Sequence, residues 1–76
     1  MIDKQELKVA MIRYGDKQED LAAALGITSA TLSLKINSEA EFKRNEIEMI
    51  IKRYSLSTED MRRIFFASAV SLKETD

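Results

Sequence analysis

The side chains behind most covalent and metal chemistry are missing from this chain, which has no Cys and no His. Disulfides, thiolate and imidazole metal ligands and His-based nucleophilic triads are therefore excluded. A Lys/Glu acid–base pair or a carboxylate-only metal site survives, but 76 residues leave little volume for a deep pocket that excludes water. No enzyme, cofactor or small-molecule ligand is expected. What the residue types can still do is recognise by hydrogen bonds, and the informative stretch is Gln18 to Asn37, with an amide at Gln18 and hydroxyls at Thr28, Ser29, Thr31 and Ser33 around a turn at Gly26.

A chain of this length buries only about 60% of its unfolded surface, so residues 1–76 are expected to form one domain. Hydrophobic residues make up 45% and charged residues 33%, with two Gly and no Pro, the balance of a folded helical protein. No run of apolar residues is long enough to span a bilayer, and the opening Met1-Ile2-Asp3-Lys4 does not read as a signal peptide; no membrane partner and a cytoplasmic location are expected. Twelve Lys and Arg against thirteen Asp and Glu give a net charge of −1, which offers no bulk attraction to nucleic acid. Any DNA binding must come from a local arrangement.

Helical periodicity runs from end to end. Asp3 and Glu6 have the spacing of a capping box, with Ile2 and Leu7 as a hydrophobic staple, so the first helix starts near Lys4. Leu7, Ala10, Met11 and Tyr14 form its buried stripe, and Gly15 ends it. Asp16 and Glu19 repeat the capping spacing before a second, short helix that stops at Gly26. Thr28 caps a third helix with Leu32 and Ile36 inward, closed by Asn37-Ser38. A loop from Glu39 to Lys43, pinned by Phe42, leads to a fourth helix with Ile47, Ile50, Ile51 and Tyr54 on one side. Ser57 with Asp60, and Leu56 with Met61, open a fifth, whose inner face is Met61, Ile64 and Phe65.

Around Gly26 each feature has a steric reason. Two helices crossing steeply through a short turn need a small residue where they touch, which Ala22 supplies, and Gly26 supplies a positive φ. Leu21, Leu25, Ile27 and Leu32 close a shared apolar wedge. With Gln18, Ala22, Gly26 and Leu32 at its first, fifth, ninth and fifteenth positions, the motif at 18–37 resembles the helix-turn-helix of the Cro and lambda-repressor-like family. The layout from Asp3 to Phe65 is similar to that family's domain as well. Leu32 to Asn37, with the later Phe42, Glu46 and Ile47, looks like small phage-encoded Cro-like regulators. One departure is Lys35, at the usually apolar eighteenth position, where Ile36 is expected to take the buried role and leave Lys35 facing the nucleic-acid backbone.

The resemblance implies an all-α, five-helix, lambda-repressor-like domain whose third helix lies in the major groove while the second crosses the backbone. It implies that Gln18 contacts phosphate and that Thr28, Ser29, Ala30 and Ser33 read bases, through hydroxyls or through methyls that meet thymine. Asn37, Lys43 and Arg44 look like a phosphate clamp, with Lys17 and Lys35 as further cations, opposed by Glu39 and Glu41. These readers are short, so specificity leans on DNA shape and water.

Plain readings stand beside these. Leu21, Ala22, Leu25, Leu32 and Ile36 would serve any small helical bundle, and Lys52-Arg53 and Arg62-Arg63 read as solvated helix surface. The short apolar C-terminal tail, 66–76 with Phe65 before it, either wraps its own core or forms a two-fold interface through Phe65, Phe66 and Val70; palindromic operators favour the homodimer. The expected function is sequence-specific binding of double-stranded DNA as a Cro-like repressor acting by operator occupancy, without a ligand sensor. The alternative is a protein-interaction module, such as an anti-repressor, adaptor or inhibitor, on the same scaffold.

Overall fold

The structure, a computed structural model, describes residues 2–66. These form five α-helices and no strand: α1 Lys4–Tyr14, α2 Gln18–Leu25, α3 Ser29–Ile36, α4 Arg44–Arg53 and α5 Thr58–Phe65. None of these helices is long and apolar enough to cross a membrane.

Local chemistry sets most of the boundaries. The Asp3 carboxylate accepts from the Gln5 and Glu6 N–H groups, Thr28 Oγ1 accepts from the Thr31 N–H, and Ser57 Oγ accepts from the Asp60 N–H. Each satisfies donors that the first helical turn leaves without partners. At Asp3 the expected box is only half made: the Asp3 N–H donates instead to the Ile64 carbonyl at 2.7 Å, tying the start of α1 to α5. The start of α2 differs from expectation by one residue. Lys17, not Asp16, takes the cap position, and its N–H donates to Asp20 at 2.8 Å.

Four of the helices end in the same way. After α1 and α2, Gly15 and Gly26 adopt φ of +92° and +73°, and the following N–H reaches back to the carbonyl of Met11 or Ala22. That is the Schellman arrangement, in which two otherwise unpaired carbonyls find donors. After α3 and α4 the left-handed residue is a serine, Ser38 or Ser55, with Glu39 N–H donating to Leu34 and Leu56 N–H to Ile51.

One core joins all five helices. Leu7, Leu21, Leu32 and Ile50, one from each of the first four, are fully buried, and Ala10, Met11, Ala22, Ile36, Ile64 and Phe65 complete the centre. The broadest helix contact is that of α2 with α3, where Ala22 is 2% exposed, as a close approach requires. Leu25, Ile27, Phe42, Ile47, Ile51 and Met61 pack around this centre half-buried. Tyr14, expected in the buried stripe of α1, is 53% exposed; its ring edge meets Tyr54 at 5.3 Å.

A Cβ added at Gly26 would meet no atom within 4 Å, so only its backbone conformation opposes substitution. Gly26→Ala is therefore expected to lower unfolding free energy by about 1–2 kcal/mol in urea titrations, the strain of one left-handed residue. A loss above about 4 kcal/mol would show that the turn is sterically closed as well.

Candidate functional site

Within the stretch singled out by sequence, several of the polar residues are exposed. Ser29 and Ala30, in the first turn of α3, are exposed, as is Thr28 before them; Ser33, one turn on, is half-buried. The Thr28 hydroxyl is already engaged, accepting from the Thr31 N–H and donating to Thr31 Oγ1 at 3.0 Å. Gln18, at the start of α2, donates from Nε2 to the Ser29 carbonyl at 3.2 Å, which fixes the amide against the first residue of α3. Lys17 precedes it, exposed. At the other end of α3, Asn37 is exposed and accepts from Lys4 Nζ at 3.5 Å. Lys43 and Arg44 are exposed at the start of α4, Arg44 with a loose surface pair to Glu48 at 3.6 Å. Cations thus stand at both ends of α3, with Glu39 and Glu41 exposed in the loop between α3 and α4.

Two expected placements are corrected. Lys35 does not face outward: it is 6% exposed, and its Nζ donates to Glu46 Oε1, itself 4% exposed. Both i+3 and i+4 from Leu32 turn inward, so Lys35 keeps the interior position and Ile36 shares it. Its charge is met by a carboxylate eleven residues away and by the Phe42 ring, whose centroid lies 6.0 Å from Nζ. A cation neutralised in this way adds nothing to an outward positive strip. Phe65 is not free for a two-fold interface either, because it is 6% exposed and packs edge-on against Phe42 with ring centroids 5.9 Å apart. Phe66 is 40% exposed, and Val70 lies outside the described residues.

Two features escaped sequence reasoning. Lys4 joins the candidate face only through the folding of α1 beside Asn37, a separation no local pattern reveals. Arg53, read as solvated surface, instead makes a two-pronged pair with Asp16, Nε to Oδ2 at 2.7 Å and Nη2 to Oδ1 at 2.9 Å, and lies over the Tyr14 ring. Tyr54 adds its hydroxyl to Asp16 at 2.7 Å. Asp16 sits directly before Lys17 and Gln18, so this cluster anchors the entry to α2 against the end of α4. Its partners are thirty-seven and thirty-eight residues apart in sequence.

The ionisations follow from these partners. The Arg53 hydrogen bonds, helped by Tyr54, hold the Asp16 carboxyl below its ordinary value against the opposing effect of burial. Burial also opposes the ionised form of Glu46, but hydrogen bonds from Lys35 and the Lys43 N–H outweigh it and keep that carboxyl low. Burial, reinforced by the Asp16 carboxylate, pushes the Tyr54 hydroxyl up. Among the described residues no cluster of three or more acidic side chains could hold a metal ion.

The described residues form an all-helical domain of five helices around one core. Residues 2–68 match a family described as protein of unknown function, DUF739, and the chain belongs to that family. No curated protein matches the chain.

Asp16 and Glu46 ionise more readily folded than unfolded, so the folded chain binds fewer protons as pH falls past their ordinary values of 3.8 and 4.5. Their stabilisation is complete above about pH 5 and is lost progressively below it. Urea midpoints measured from about pH 6 to about pH 3 are expected to fall, and Asp16→Asn to flatten the fall while lowering the plateau. A wild-type midpoint unchanged over that range would contradict the assignment of both pairs.

Proposed function

We propose that this protein is a sequence-specific, double-stranded-DNA-binding regulator of the Cro and lambda-repressor-like kind, with α2, the Gly26 turn and α3 as its helix-turn-helix. The observation that carries the reading is the first turn of α3: Ser29 and Ala30 are exposed at the start of a helix that Leu32 locks to the core, and Gln18 is held against Ser29. In such an arrangement the N-terminal residues of α3 meet base edges in the major groove while α2 lies across the backbone. Ser29 and Ser33 supply hydroxyls, and Ala30 and Thr28 supply methyls suited to thymine. Lys17, Gln18, Asn37, Lys43 and Arg44 contact phosphates, and Lys4 joins them from beside Asn37.

The net charge of −1 argues against indiscriminate coating, and Glu39 and Glu41 raise the cost of an ill-fitting site. The regulator acts as a homodimer on a palindromic operator, its two α3 helices about 34 Å apart, and represses by occupying the promoter. Of the three residues expected at such an interface, Phe66 is exposed.

Withdrawal of Lys35 into the interior, beside a Leu34 that is 45% exposed, favours one rival, a protein-interaction module that uses the outer side of α3. Selection from random duplexes separates the two: enrichment of a palindrome supports the regulator, and no enrichment supports the module.

On the selected duplex, Ser29→Ala and Ser33→Ala are expected to change the preferred base at one or two positions. Arg44→Ala should weaken all duplexes alike and lower the slope of log affinity against log salt by about one. Equal losses on all duplexes for the serine variants would contradict their role as readers.

A further inference from the structure

Glu46 Oε1 accepts two hydrogen bonds from two different elements. One comes from Lys35 Nζ on α3 and the other, at 2.8 Å, from the Lys43 N–H that opens α4. The oxygen thus joins the helix that displays Ser29 and Ser33 to the segment that carries Lys43 and Arg44. Both side chains of the pair are buried, at 7% and 5% exposure, so the link is shielded from water and salt. Phe42 closes over it, packed in turn on Phe65, so the loop between the two helices is fixed at the same place.

An apolar side chain at Lys35 would fill space equally well, and burying an ion pair is rarely the more stabilising choice. What the pair adds is direction. A hydrophobic contact tolerates sliding, whereas a charge-assisted hydrogen bond is met over a narrow range of distance and angle.

We infer that Lys35 and Glu46 are positioning residues for DNA discrimination, holding the base-reading helix and the phosphate-binding start of α4 at one fixed offset. The inference rests on the DNA-binding reading above. With the offset fixed, Lys43 and Arg44 reach their phosphates only when Ser29 and Ser33 are in register with the bases, so a wrong sequence loses phosphate contacts as well as base contacts. With the offset loose, the phosphates are reached on any duplex.

The test uses the full chain with Lys35→Met/Glu46→Gln, which removes both charges and the link to α3 but leaves a side-chain oxygen for the Lys43 N–H. Glu46→Asp is the companion, still able to cap α4 yet one methylene too short to meet Lys35. Affinities for a duplex selected by the wild-type protein and for a scrambled duplex are measured across a salt series, at a temperature where circular dichroism shows each variant folded. The expected result is a fall of about tenfold in the ratio of specific to scrambled affinity, with the scrambled duplex bound more tightly and with a steeper salt slope because its phosphates are now reached. A folded variant that keeps the wild-type ratio overturns the inference and leaves the DNA reading intact. A uniform loss on both duplexes also overturns it, because it marks the pair as a support for the fold alone. A wild-type protein that selects no sequence sinks both readings together.

Discussion

An eight-residue helix does not persist alone in water, since helices shorter than about 12–15 residues are marginal even with favourable sequences. α3 is that short, and it exists because Leu32 is buried completely between α2 and the rest of the core. Most of the molecule serves this contact. Ala22 lets α2 come close, Gly26 turns the chain so that Leu32 meets Leu21, and Ile36 extends the contact by one turn. Once Leu32 is fixed inward, helical geometry turns Ala30 to the far side, while Ser29, on the same side as Leu32 but one turn nearer the start of the helix, is exposed at the open end of α3. The exposed side of α3 is therefore a consequence of its buried side.

Two ion pairs brace this arrangement from its ends. Asp16, gripped by Arg53 and Tyr54, sets where the chain enters α2, and Lys35 with Glu46 sets how the end of α3 meets α4. Burial opposes the charge of both carboxylates, and it is outweighed only because each is met by more than one hydrogen-bond donor. Both pairs satisfy further hydrogen-bonding groups, Asp16 through Tyr54 and Glu46 through the Lys43 N–H. No buried side-chain polar atom among the described residues lacks a partner. That completeness is what makes buried charges tolerable in a domain with so small a core.

The helices and the turn were legible because their signals are local. Asp3, Thr28 and Ser57 cap within three residues, and Gly15 and Gly26 take the left-handed positions that few other residues accept without strain. Sequence reasoning went wrong where a side chain had two possible partners and the distant one won. Asp16 and Glu19 have the spacing of a capping pair, yet Asp16 is taken by Arg53 and it is Asp20 that meets the Lys17 N–H. Lys35 is expected outside because Ile36 can take the buried role beside Leu32, yet Glu46 across the loop holds Lys35 inside as well. Ser38 and Ser55 hold left-handed backbone where glycine would be looked for, so the ends of α3 and α4 carry a weaker written signal than those of α1 and α2. Of the residues expected on the candidate face, Lys35 lies in the interior, and Lys4, not among them, comes beside Asn37 through the way α1 packs.

The proposed DNA-binding reading places a duplex against the start of α3. Backbone amide shifts recorded while the labelled protein is titrated with a selected duplex test that directly. Changes concentrated at Gln18, from Thr28 to Ser33, and at Asn37, Lys43 and Arg44 are the outcome it predicts. Changes confined to the outward side of α1, where Val9 and Ile12 are exposed, with Ser29 unmoved, would contradict it.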